Sequence, residues 1–153
     1  MNTRLQAFLD EHGATAHVHP TQRPVYTTQE LASVEHVSGR AVAKVVMAVA
    51  DGEMVMLVLP ASLRVDLGCV RESLEAHEVR LATEHEFEER FPDCEVGAMP
   101  PFGHLYGMPV YVDPELASAP AIVFETGSHR EVAVMPFMEF QRLEHPHLAP
   151  LAS

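Results

Sequence analysis

The sequence predicts a mixed α/β fold, about seven short strands interspersed with four or five helices, and three observations carry that prediction. Two apolar runs meet at Asp51-Gly52, a two-residue hairpin signal. Two capping boxes, Thr27 to Glu30 and Thr83 to Glu86, mark helix starts. Several brief apolar stretches between turn residues, such as Val110–Val112 and Ala121–Phe124, read as further strands. No internal repeat or linker divides the 153 residues, so a single domain spanning 1–153 is expected. A chain of that length buries roughly two-thirds of its unfolded surface without staples.

Asn2 or Thr3 can cap a first helix that places Leu5, Phe8 and Leu9 on one face, with Gly13 positioned to end it. Thr15 to His19 alternates and runs into Pro20, a short strand leading to a loop. In a strand His17 and His19 share a face, which suits either a metal or a half-exposed surface, and no third ligand pairs with them. A short helix should follow Thr27, and Tyr26 before it either lines a pocket or staples that helix.

The hairpin itself runs from Gly39 to Val49 and from Glu53 to Leu59. Lys44 is the residue in it that needs explaining. Ala43, Val45, Met47 and Val49 fall on one face, while Val42, Val46 and Ala48 share the other with Lys44, so both faces should be covered. A lysine there must snorkel to an edge, find an anion, or have a lowered pKa.

Asp66 caps a helix with Leu67, Val70 and Leu74 at helical spacing, and Val79 and Leu81 alternate as a brief strand. The acidic helix opened by Thr83 should end at Phe91-Pro92, its charges a solvated face. Asp113-Pro114 reads as a turn, Glu131–Met135 as a strand, and Pro136 as the first turn of a last helix with Phe137, Phe140 and Leu143 inward. The tail from His145 to Pro150 reads as irregular.

Gly97 to Gly107 holds three glycines and two adjacent prolines in eleven residues, which no helix interior tolerates. Such a loop either connects two strands rigidly or serves a ligand. Prolines hold its shape, and glycines let a substrate approach main-chain N–H groups that can face an oxyanion.

Ten Lys and Arg stand against 22 Asp and Glu, a net charge of −12 with His neutral. That acidity argues against broad binding of nucleic acid through its phosphates. No stretch of eighteen apolar residues occurs and the N-terminus lacks a signal-peptide pattern, so a soluble cytoplasmic protein is expected. Cys69 and Cys94 belong to no zinc-like or C-x-x-C spacing and are expected as reduced thiols.

A wider pattern joins these residues. An early His19-Pro20, Tyr26-Thr27 with Glu30, Gly39 followed by Lys44, Leu59-Pro60-Ala61 with Arg64-Val65-Asp66, Phe91 to Gly97, Pro100 to Gly103, and Phe124 with Gly127 and His129 together resemble the YbaK/ProX family of aminoacyl-tRNA deacylases. That family is related to the editing domain inserted in bacterial prolyl-tRNA synthetases. The resemblance runs from about His17 to Leu143. It implies a mixed β-barrel flanked by helices, and hydrolysis, without metal or cofactor, of the ester that links a wrong amino acid to the terminal ribose of tRNA.

By position, Lys44 is similar to the family's essential lysine and His129 to the histidine of its Gly-x-His turn. Gly97 is similar to the first glycine of the loop that holds the aminoacyl group. Tyr26, Val45, Ala98, Pro100, Pro101, Gly103, Gly127 and Ser128 are the implied substrate contacts. Lys44 would meet the terminal phosphate or the developing oxyanion, and His129 would position the amino group or a water, or act as general base. Val45 stands where some alanine-editing relatives carry a polar residue, and Glu125 where close relatives often have a neutral polar one. The implied partner is a misacylated tRNA, delivered by a synthetase or elongation factor in view of the charge, with no DNA or membrane partner.

Two other readings remain open at this point. One is a non-catalytic module that binds an aminoacyl or nucleotide ligand. The other is a cysteine hydrolase using Cys94, against which Asp93 and Glu95 weigh, because flanking carboxylates raise a thiol's pKa.

Overall fold

The computed structural model describes residues 1–14, 16–20 and 41–152. Among these residues the order is α1 (Thr3–Glu11), β1 (His17–Pro20), β2 (Ala43–Ala50), β3 (Glu53–Pro60), α2 (Leu67–Ser73), β4 (Val79–Leu81) and α3 (Glu84–Glu88). After a 3₁₀ turn at Gly103–Tyr106 come β5 (Val110–Val112), α4 (Pro114–Ala117), β6 (Ala121–Glu125), β7 (Glu131–Pro136), α5 (Phe137–Glu144) and β8 (His147–Leu148). The expected helix after Thr27 and the residue Tyr26 lie outside the described residues.

The strands form two sheets, ordered β1-β7-β6 and β4-β2-β3-β5-β8. The first is antiparallel throughout, whereas β5 runs parallel to both β3 and β8. Among the described residues, a parallel bridge between Val42 and Val123 joins the sheets. The mixed α/β architecture is as predicted, and its barrel-like character resides in two sheets linked at this bridge around a shared core.

Alternation along each strand explains that core. Met56 and Val58 of β3, Ile122 and Phe124 of β6, and Ala133 and Met135 of β7 face a main cluster with Leu5, Phe8 and Leu9 of α1 and Phe137, Phe140 and Leu143 of α5. The opposite face of β3, with Val55, Leu57 and Leu59, meets Ala48, Val70 and Leu151 in a second cluster. The hairpin strands are therefore covered on both sides, as their two apolar faces require. A third, smaller cluster of Val42, Val123 and Val132 lies on the reverse of β6 and β7.

Local signals act where the sequence places them. The Asn2 side chain accepts from Leu5 N to cap α1, Asp66 accepts from Cys69 N to cap α2, and the Thr83–Glu86 capping box is reciprocal. Two expectations are corrected. Asp113-Pro114 is not a simple turn but the cap and first residue of α4, the arrangement that a capping carboxylate followed by proline favours. The tail is not irregular: β8 pairs with β5, Ala152 bridges Val65, and Leu151 N donates to the buried Asp113 Oδ2 at 2.9 Å.

Phe102, at the base of the glycine-rich loop, is fully buried with its ring centroid 6.0 Å from Phe8, 5.6 Å from Phe124 and 5.4 Å from Phe140. One side chain thus ties the loop to α1, β6 and α5. Phe102→Ala is expected to cost about 3–5 kcal/mol in urea unfolding, because a cavity is left among elements that cannot close over it. A cost below about 1 kcal/mol would show that this ring does not anchor the loop.

Candidate functional site

The site is built where the segment preceding the glycine-rich loop meets the turn after β6. Ala98 N donates to Glu95 O at 3.0 Å, closing a four-residue turn whose third residue is Gly97 at φ +84°. A type II turn demands a positive φ at that place, so glycine is required there. Two further main-chain bonds zip this turn to the β6–β7 connection: Glu95 N to Gly127 O and Gly127 N to Ala98 O, both 2.8 Å. Gly127 is itself fixed by space, since a Cβ there would sit 2.8 Å from Asn2 Nδ2.

Side chains reinforce the zipper. Glu95 Oε2 accepts from His129 N at 3.2 Å, and its Oε1 accepts from Ser128 Oγ at 3.3 Å. The His129 ring is buried, 8 % exposed, with a polar neighbour at each nitrogen. Its Nε2 donates to Val96 O at 2.8 Å, which fixes the proton on that nitrogen because a carbonyl can only accept. Its Nδ1 lies 3.1 Å from Glu125 Oε2. A Cβ on Gly97 would lie 3.7 Å from His129 Cε1, so the turn rests against the ring.

The Val96–Gly97 peptide is trans, and in a trans peptide the carbonyl and the N–H point opposite ways. With the Val96 carbonyl tied to His129, the Gly97 N–H points away from the ring. Gly97 is exposed and its N–H has no partner among the described residues. The arrangement leaves one oriented main-chain donor for an oxyanion or carbonyl.

Lys44 reaches this region from the other sheet. It lies on the face of β2 that carries Val42, which precedes β2 and bridges Val123 in the middle of β6. Lys44 and Glu125 are each two residues beyond that bridged pair. The half-buried Lys44 ammonium donates to the Leu63 carbonyl rather than to the loop, and burial, followed by the charge of Arg64, lowers its pKa.

The other expected contacts divide by position. Ala98, Gly127 and Ser128 join Gly97 and His129 in the zipper. Pro100, Pro101 and Gly103 are buried in the body of the loop, Gly103 so closely that a Cβ would lie 2.7 Å from Val110 Cγ2. Val45 faces the main core, on the opposite side of β2 from Lys44. The far end of the loop is pinned by buried Glu144, which accepts from His104 N at 3.0 Å and pairs with the His104 ring.

Residue-type reasoning missed the carboxylates that meet His129, namely Glu95 and Glu125. By sequence Glu95 reads only as a flank of Cys94 and Glu125 only as a departure from the family pattern, and the fold brings both to His129. Cys94 faces Asn2 and Tyr106, and burial pushes its thiol up to about 11, so thiolate is scarce near neutral pH. His17 and His19 are exposed on β1. Among the described residues no group of three metal-ligating side chains converges, and no helix is long and apolar enough to cross a membrane.

Comparison with known proteins places these features in context. A family model described as an aminoacyl-tRNA editing domain matches residues 22–143. No curated protein matches the sequence. Among solved structures, the hypothetical protein APE2540 superposes with a TM-score of 0.89 at 21% identity, over 98% of this chain and 99% of its own. A protein provisionally assigned as a trans-editing enzyme for prolyl tRNA synthetase superposes at 0.86 with 23% identity, over 98% of this chain and 95% of its own. A longer protein from Marinobacter aquaeolei VT8, provisionally assigned to signal transduction, matches at 0.77 with 15% identity, over 99% of this chain and 31% of its own.

Burial pushes the Glu125 carboxyl up from 4.5 to about 7; the facing His129 opposes the shift and the Glu95 charge adds to it. A carboxyl that holds its proton more tightly when folded stabilises the fold at low pH, and that contribution is lost as pH rises between the two values. The stability difference between the native chain and Glu125→Gln should therefore fall between about pH 4.5 and about pH 7 and be flat on either side. Denaturant unfolding across that range checks this, and a difference independent of pH contradicts it.

Proposed function

Because the chain belongs to the aminoacyl-tRNA editing domain family, we propose that it is a trans-editing hydrolase that removes a wrongly attached amino acid from tRNA by cleaving the ester at the terminal ribose. The observation that carries this reading is the Val96–Gly97 peptide, held by His129 with its N–H left to a ligand. Ester hydrolysis builds negative charge on the carbonyl oxygen, and a preorganised N–H at that oxygen contributes on the order of 3 kcal/mol.

In the proposed reaction the aminoacyl group lies against the Gly97 turn, and the Gly97 N–H meets the carbonyl oxygen. Lys44, a compact cation beside exposed Arg64, takes the phosphate of the terminal nucleotide. Water attacks the carbonyl carbon, oriented by the free hydroxyl of the terminal ribose. The ester C–O bond then breaks, giving the free amino acid and a ribose hydroxyl that takes up the proton. His129 is a positioning residue in this scheme, since its Nε2 proton is engaged by the Val96 carbonyl and its Nδ1 by Glu125. No metal and no enzyme nucleophile enters, and Cys94 has no part.

The net charge of −12 makes unaided capture of a polyanion unfavourable, so a synthetase or elongation factor is proposed to present the substrate. The test is single-turnover deacylation of tRNAs carrying alanine, cysteine, serine or threonine, with and without those carriers. One misacylated tRNA should lose its amino acid selectively, with carriers raising the rate at low substrate. Lys44→Ala should slow hydrolysis by about 10²-fold or more with its melting temperature unchanged. Ligand binding without turnover on every ester would instead support a non-catalytic module.

A further inference from the structure

Glu125 has no role in the reaction as described, yet its placement is specific. It ends β6 with its side chain 17% exposed, turned to the face opposite the core residues Ile122 and Phe124. The titratable groups that act on it are His129, whose Nδ1 is 3.1 Å from Oε2, and Glu95, which holds the His129 main-chain N–H from the other side. The imidazole thus lies between the Glu125 carboxyl and the Val96 carbonyl, with Glu95 on the main chain of the same residue.

This arrangement acts at a distance from Glu125 itself. Nε2 carries its proton towards Val96 O whatever happens at Nδ1. At Nδ1 the ring faces the Glu125 carboxyl at 3.1 Å, a close contact rather than an aligned hydrogen bond. This contact and the bond from Nε2 hold the ring between Glu125 and Val96. Removing the carboxyl frees one end of the ring, and with it the constraint on the Val96 carbonyl that sets where the Gly97 N–H points.

We propose that Glu125 is a positioning residue of the site: through His129 it fixes the Val96–Gly97 peptide so that the Gly97 N–H faces the substrate carbonyl. The inference rests on the editing reading for its purpose, but the mechanical link exists in the protein alone and can be read without a substrate. Protonation of the Glu125 carboxyl makes the link sensitive to pH. Glu125 titrates near neutrality, so the Gly97 amide should sense a protonation step that occurs two residues beyond the β6 bridge rather than in the loop itself.

The test compares the full chain with Glu125→Gln and Glu125→Asp in two measurements. In ¹H–¹⁵N spectra recorded against pH without substrate, the native Gly97 amide is expected to move through a transition near pH 7, where the Glu125 carboxyl titrates. In Glu125→Gln that transition should be displaced by more than about one pH unit or lost. In deacylation of the misacylated tRNA identified above, Glu125→Gln should lower kcat by about 10- to 100-fold with KM within about twofold, and Glu125→Asp should restore part of the loss. An unchanged Gly97 transition in Glu125→Gln overturns the proposal. So does a loss of activity confined to KM, or one that tracks a fall in melting temperature with the pH profile unaltered. If the native chain deacylates no tRNA, the editing reading fails by itself, and the Gly97 transition alone decides whether Glu125 positions the loop.

Discussion

The bond from His129 Nε2 to the Val96 carbonyl, 2.8 Å long, is the constraint on which the site depends. It connects two segments more than thirty residues apart in sequence, the turn before the glycine-rich loop and the connection between β6 and β7. Two main-chain bonds between Glu95, Ala98 and Gly127 set the segments side by side, but they leave the middle peptide of the turn undetermined. The imidazole determines it. An N–H that is to stabilise a developing oxyanion must already be oriented when charge appears, since reorganisation during the reaction cancels the benefit.

The rest of the architecture serves to keep that contact in place. Phe102 roots the loop among Phe8, Phe124 and Phe140, Glu144 holds its far end through His104, and Asn2 fills the space that Gly127 leaves. The loop is thereby tied to α1, β6 and α5 at once. Charge is arranged with similar economy. Lys44 and Arg64 supply positive charge on β2 and the segment after β3, while Glu95 and Glu125 lie against His129 beside the turn that follows β6.

Most of the fold was legible because its elements are punctuated locally. The Asp51-Gly52 turn, the cap at Asp66 and the Thr83–Glu86 box each need only a few consecutive residues to declare themselves. The tail was not legible, since β8 is two residues long and is defined by β5 beside it, and by Asp113, whose buried carboxylate receives Leu151 N. Asp113-Pro114 carried its helix-start signal openly, but four residues of helix are too few to show periodicity.

At the site the same division holds. Gly97 could be singled out because adjacent prolines and glycines have a backbone meaning that needs no partner. Lys44 stood out as a cation in an apolar strand, and its half-buried ammonium with a lowered pKa answers that expectation. Glu125 stood out only as a departure from the family pattern and Glu95 only as a neighbour of Cys94, because what gives them a place in the site is their contact with one residue, His129, brought close by the fold. Val45 and Gly103 illustrate the converse: adjacency to a functional residue suggests contact with a substrate, whereas strand alternation and close packing turn these two into the core.

The central claim, that a main-chain donor at Gly97 meets the scissile carbonyl, is tested most directly by titrating the protein with an aminoacyl-adenosine in which an amide replaces the ester. The analogue presents the same carbonyl and cannot be hydrolysed. The account predicts that at saturation the Gly97 amide proton shows the largest downfield shift of any backbone N–H, as expected for a newly formed hydrogen bond. A saturated complex in which the Gly97 amide is unmoved would contradict it and would require another donor for the oxyanion.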